Sequence, residues 1–103
     1  MDDVLEYAAR AARHAPSRAA LDEELTLPAV LYELAIVGEA ASRTSPDLRS
    51  GHPEVPWARI VSLRNILVHA YDRIDLDLVW DAVERLSGLV ASLERIREGL
   101  PEL

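Results

Sequence analysis

Cysteine, lysine and phenylalanine are all missing from this chain of 103 residues. Without cysteine there can be no disulfide framework, no thiolate nucleophile and no cysteine-ligated zinc site. That is compatible with a reducing compartment. Without lysine, all 11 basic side chains are arginines, so any anion-binding group is a guanidinium fork of fixed charge. Aromatic residues make up 5% of the chain, and abundant Leu, Ala, Glu and Arg favour helix over sheet.

Long apolar runs are missing too. No segment reaches the roughly 18 apolar residues that a bilayer span requires. The opening, MDDVLEYAARAARHAP, is acidic from its second residue and lacks the basic start and hydrophobic run of a signal peptide. A cytoplasmic protein with no membrane association is expected. The net charge of −7 argues against a general electrostatic grip on nucleic acid but leaves room for a local basic site. The length suits one domain, residues 1–103, which buries roughly two-thirds of its unfolded-chain surface.

Hydrophobic periodicity divides the chain into helices. Residues 2–14 read as the first, with Asp2 or Asp3 as cap, an apolar stripe of Val4, Leu5, Ala8, Ala9 and Ala12, and Pro16 beyond its end. Ser17 can cap a short segment to Leu25. Pro28 suits the first turn of a helix running to about Arg43, with Val30, Leu31, Leu34, Ala35, Val37 and Ala41 at helical spacing. Gly38 inside it costs about 1 kcal/mol relative to alanine, a cost that a close helix crossing would offset. The stretch TSPDLRSGHPEVP is the principal loop, with room for a helical turn around Asp47 to Arg49. Pro56 then starts a helix to about Tyr71. Asp72 or Asp75 caps the last helix, whose stripe is Leu76, Val79, Trp80, Val83, Leu86, Val90, Leu93 and Ile96, and Pro101 ends it. The expected fold is all-α: an up-and-down bundle of four long helices plus a short one.

Within the helix before the last, RNILVHAY places Arg64, Asn65, His69 and Tyr71 in an apolar segment. At about 100° per residue from Arg64, a core stripe of Ile60, Leu63, Ile66, Leu67 and Ala70 falls between about 200° and 320°. Val68, Asn65 and His69 lie opposite, between about 40° and 140°, and Tyr71 returns to within about 20° of Arg64. The polar groups therefore leave the core intact and share a second face with Val61 and Val68. A structural reading explains His69 by the negative end of the helix dipole and Arg64 by an ion pair. A functional reading takes the face as a site that meets another chain.

Arginine can hold a phosphate bidentately, and histidine can move protons near neutral pH. Together they suit metal-free cleavage of RNA, in which a ribose 2′-hydroxyl attacks the adjacent phosphorus. That chemistry needs an acid and a base, and one motif supplies one histidine. A symmetric dimer would supply two, and the valine-bearing face gives it something to bury.

The residues also carry a family pattern. Arg64, His69 and Tyr71 match the R-x4-H-x-Y motif of HEPN-domain ribonucleases. Ile36-Val37-Gly38-Glu39-Ala40 resembles the "IGEA" helix of the HepT-like branch, and Pro53-Glu54-Val55-Pro56-Trp57 followed by Arg64-Asn65-Ile66-Leu67-Val68-His69 resembles its "PEIPW…RNxLVH" run. Val79-Trp80 fits its final helix, so the likeness spans about residues 27 to 97. The resemblance implies a HEPN fold, a homodimer with a cleft at its interface, and a metal-independent RNA endonuclease. It also implies the toxin of a two-gene toxin–antitoxin module, partnered by a minimal nucleotidyltransferase antitoxin of the MntA type. On this resemblance Arg64 holds the scissile phosphate, His69 is acid or base, and Asn65 positions one of them. Tyr71 resembles the tyrosine that the partner modifies with AMP, and a phosphate placed beside Arg64 and His69 would repel RNA. The alternative is a non-catalytic helical dimer that binds a nucleotidyltransferase or a nucleotide with the same face, a reading that the acidic charge favours.

Other polar residues carry plainer expectations. Glu39 is either a rim glutamate or a group that orients Arg64 or His69. Trp57 and Trp80 read as packing residues, His52 as an exposed loop residue, and His14 as a dipole partner at the end of the first helix. Asp72, Asp75 and Asp77 read as caps and dipole partners. The histidines at 14, 52 and 69 lack metal-ligand spacing, so neither a metal nor another cofactor is expected.

Overall fold

Two acids in its first turn and Arg13 and His14 in its last suit Asp2–His14 to the helix dipole, and these residues form α1. Its N-cap is Met1 rather than Asp2 or Asp3, and no side chain caps it. Val4, Leu5, Ala8 and Ala11 are buried, while Ala9 and Ala12 lie at the core's edge. The computed structural model describes residues 1–66 and 75–100. After Pro16 the chain makes a 3-10 turn, Arg18–Asp22, anchored by the buried Leu21. Ser17 precedes that turn without a side-chain capping bond.

Helix α2, Thr26–Ser42, is the centre of the molecule. Val30, Leu31, Leu34, Val37, Gly38 and Ala41 are all buried, so it contributes apolar surface on more than one side. α1 packs along one side, and the Trp57–Asn65 segment along another. The short α3, Pro46–Gly51, follows the Ser-Pro start rule. Ser45 Oγ accepts a hydrogen bond from the Leu48 amide at 3.2 Å, and Pro46 occupies the first turn, where its missing N–H costs nothing.

The loop between α3 and α4 (Trp57–Ser62) is held by tryptophan. Trp57 Nε1 donates to the His52 carbonyl at 3.0 Å, and Val55 is buried beside it. At Leu63–Asn65 the helix tightens to 3-10 form before resuming an α-helical turn at Ile66. The expected single helix from Pro56 to Tyr71 is thus interrupted at Arg64, and its remainder lies outside the described residues.

The last helix, α5, spans Leu76–Glu98. Asp75 caps it, its Oδ1 accepting from the amides of Asp77 at 3.0 Å and Leu78 at 3.2 Å. Val79, Val83, Leu86, Leu93 and Ile96 are buried, and Leu76, Trp80 and Val90 pack at the margin of the core. α5 packs chiefly on α1. Leu21, Leu34, Val37, Val83 and Leu93 are among the fully enclosed side chains. Burying each of this kind contributes about 1.5–3 kcal/mol. No strand forms among the described residues, so the all-α expectation holds.

Candidate functional site

The site begins with the approach of two backbones. Gly38, on α2, faces the peptide between Leu63 and Arg64. A Cβ placed on Gly38 would run into the Arg64 amide nitrogen, 2.9 Å from the Leu63 carbonyl carbon and 3.0 Å from the Arg64 Cα. No side chain larger than hydrogen fits there. The helix crossing expected from the sequence therefore exists, and it falls on the first residue of the R-x4-H-x-Y motif. Main chain is harder to displace than side chain, so this contact fixes the base from which Arg64 projects.

Arg64 and Asn65 are both exposed, on the tightened turn. The ion pair that the structural reading offered Arg64 is not found among the described residues. Glu39, the acid nearest to it in the family-like motif, is instead paired with Arg43 at 3.3 Å, one turn along α2. Glu39 is exposed and does not pair with Arg64, while a contact with His69 falls outside the described residues. Asn65 is the single asparagine of the chain, and glutamine is absent. It therefore carries the chain's one side-chain amide, able both to donate and to accept.

His69, Tyr71 and Asp72 lie outside the described residues, as do Leu67, Val68 and Ala70. Val61, expected on an open face, is half-buried and packs against the core. The described apolar surface next to the motif is a groove of about 760 Å³ between α4 and α5. Ile60, Leu63 and Ile66 form one wall, and Leu78, Ala82 and Leu86 the other. Leu78 is 58% exposed, an unusual setting for so large an apolar residue on an ordered helix.

A second polar pair was hidden from the sequence. His14 Nδ1 lies 2.8 Å from Glu33 Oε1 and joins α1 to α2. The Glu33 side chain is 6% exposed and that of His14 52%. His14 is therefore held by a buried carboxylate, not by the helix dipole alone. The signal was present: Glu33 falls among Val30, Leu34 and Val37, on the buried side of its helix. His52 is half-buried, and its Nδ1 lies 3.3 Å from Glu54 Oε1, so it is not simply a free loop residue. No group of three His, Asp or Glu side chains able to hold a metal occurs among the described residues. No described helix is long and apolar enough to cross a membrane.

Comparison with known proteins bears on the whole arrangement. The model of a family described as "Ribonuclease HepT-like" matches residues 1–96, extending the likeness to the N-terminal helix. A "Probable ribonuclease HepT" of Thermococcus cleftensis is 34% identical over 79 residues, 76% of this chain and 72% of that protein. A "Putative RNase" of Methanocaldococcus jannaschii is 46% identical over 56 residues, covering 54% of this chain and 51% of its own length. Another of the same organism is 35% identical over 63 residues, 61% of this chain and 52% of its own. For these last two the match spans about half of the relative. No solved structure matches.

Proposed function

Because the chain belongs to the HepT-like ribonuclease family, we propose that it is a metal-independent RNA endonuclease whose active site is completed at a homodimer interface. The observation that most supports this reading is the state of Arg64. Its backbone is pinned by Gly38, its side chain is exposed, and no described carboxylate occupies it. A guanidinium so placed is ready for a phosphate.

In this mechanism Arg64 grips the non-bridging oxygens of the scissile phosphate and offsets the charge that grows in the transition state. His69 of one protomer takes the proton from the ribose 2′-hydroxyl. The 2′-oxygen bonds to phosphorus as the bond to the 5′-oxygen breaks. His69 of the second protomer gives its proton to the departing 5′-oxygen. The products are a 2′,3′-cyclic phosphate and a 5′-hydroxyl. Asn65, with donor and acceptor on one side chain, holds the phosphate or a histidine in line. The groove between α4 and α5 gives a second copy apolar surface to bury next to the motif.

The protein acts in the cytoplasm as the toxin of a toxin–antitoxin module. An MntA-type nucleotidyltransferase silences it by adding AMP to Tyr71, which sets a phosphate against Arg64 and His69. Purified protein is expected to cleave RNA in the presence of EDTA and to leave cyclic phosphate ends. Equal cleavage by wild type and His69→Ala would remove His69 from the mechanism. Mass spectrometry after co-expression with the nucleotidyltransferase should find AMP on Tyr71, and an unmodified Tyr71 would end that part of the reading.

The acidic net charge favours a second reading, a non-catalytic dimer that binds the nucleotidyltransferase or a nucleotide. Co-purification with that enzyme and no nuclease activity would select it.

A further inference from the structure

Arg49, on α3, is left with an unmet donor. Its Nε is buried and has no hydrogen-bond partner among the described residues. Its guanidinium makes no ion pair among the described residues, although acids outnumber bases 18 to 11 in the chain. A buried donor without a partner is costly and uncommon in native proteins. The side chain lines a cavity of about 340 Å³ with Pro46, Ser50, Trp57 and Ala58.

That cavity is in line with the candidate site. Ala58 and Asn65 are seven residues apart on the α4 segment, close to two full turns, so they share one face, with Arg64 about 100° to its side. The intervening rise is roughly 10 Å at helical geometry. Arg10, Arg18, Arg43, Arg85 and Arg97 pair with carboxylates, and Arg95 bonds Ser92. Among the described residues the arginines with no such side-chain partner are Arg13, on α1, and Arg49, Arg59 and Arg64, the last three within one stretch of 16 residues. Three of these four unpartnered cations thus lie along one segment of an acidic protein.

We propose that Arg49, with Ser50 beside it, binds an RNA phosphate flanking the scissile one, so that the strand runs from Arg64 along α4 toward α3. The terminal guanidinium N–H groups supply a bidentate fork for two phosphate oxygens. Trp57 forms part of the cavity wall. Ser50 offers a further hydroxyl donor. The contact is made to the backbone, so it adds affinity and fixes register without reading sequence. The inference rests on the RNA-cleavage reading, since it takes Arg64 as the scissile-phosphate contact.

The test uses the full chain and a ten-nucleotide RNA carrying 2′-O-methyl groups, which cannot be cut. Fluorescence anisotropy over a range of salt concentrations should show Arg49→Ala binding about tenfold more weakly than wild type, as expected for one charge-assisted contact. The slope of log affinity against log salt should shrink by about 0.7, as expected for the loss of one contact to a single strand. Ala58→Glu, an exposed change at the cavity wall, should weaken binding in the same direction and covers the case in which Arg49→Ala misfolds. With cleavable RNA, Arg49→Ala should raise KM for the ten-mer and leave kcat near wild type, while a dinucleotide is cut equally by both proteins. Unchanged affinity and salt slope in both variants would overturn the subsite even if wild type cuts RNA well. Conversely, Arg49-dependent binding by a wild-type protein that cuts nothing would uphold the subsite while removing the catalytic reading.

Discussion

Gly38 and Arg64 touch through their backbones, and this contact joins the central helix to the first residue of the motif. A side chain on Gly38 would need the room that the Arg64 amide fills. Gly38→Ala therefore sets two effects against each other. Helix propensity alone predicts a gain of about 1 kcal/mol. The steric conflict falls on main chain that cannot rotate away, and overpacking of this kind costs about 1–3 kcal/mol. The conflict should win. Thermal unfolding should show Gly38→Ala destabilised, and the surviving folded protein should cleave RNA more slowly because Arg64 has moved. A stabilised Gly38→Ala variant would mean that the two helices separate readily.

The buried carboxylate of Glu33 predicts an asymmetric pair of variants. His14→Ala removes its described partner and strands an acid among apolar neighbours, a cost of about 1–3 kcal/mol. His14→Ala combined with Glu33→Leu removes the stranded group and should recover much of that loss. Chemical denaturation of the single and double variants measures both. If the double variant is no more stable than His14→Ala, the carboxylate is not what the histidine satisfies.

Trp57 should separate packing from hydrogen bonding. Trp57→Phe keeps most of the buried ring but removes one of the two donors to the His52 carbonyl, the Val55 amide at 3.2 Å remaining, at a cost of about 1 kcal/mol. Trp57→Ala adds a cavity and should cost about 3–5 kcal/mol. Melting temperatures of the two variants give the ratio directly. Equal losses would show that the ring contributes little beyond its N–H.

Much of this architecture was legible in the sequence because its signals are local. Pro16, Pro28 and Asp75 bracket helices by the rules of caps and first turns, and the α1 and α2 boundaries agree with the structure to within about two residues. The stripe on α5 was readable for the same reason. Gly38 was also legible as a close crossing, though not what it crosses, since that depends on a residue 26 positions away. The His14–Glu33 bond was missed because each half looks ordinary: a histidine at a helix end and a glutamate in a helix. The 3-10 turn at Leu63–Asn65 was missed because apolar spacing over three residues does not separate 3-10 from α. Of the site, Arg64 and Asn65 stand where the projection left them, outside the core. Arg49 falls in a stretch punctuated by proline and glycine, where spacing does not show what its side chain meets.

Arg64 itself should dissociate function from stability. It is exposed and has no described ion-pair partner, so Arg64→Ala should change unfolding free energy by no more than about 0.5 kcal/mol. Losing the group that offsets charge on the scissile phosphate should lower kcat by about 10²–10³. Arg64→Lys keeps the charge but replaces a planar fork with a point charge, so it should recover only a part of that loss. Steady-state cleavage of one RNA substrate by the three proteins, alongside their melting curves, tests the whole series. Full activity in Arg64→Lys would mean that charge alone suffices and that the bidentate geometry has no part in it. A large fall in melting temperature for Arg64→Ala would instead make this arginine a structural residue, and the exposed turn would then lose its claim to the phosphate.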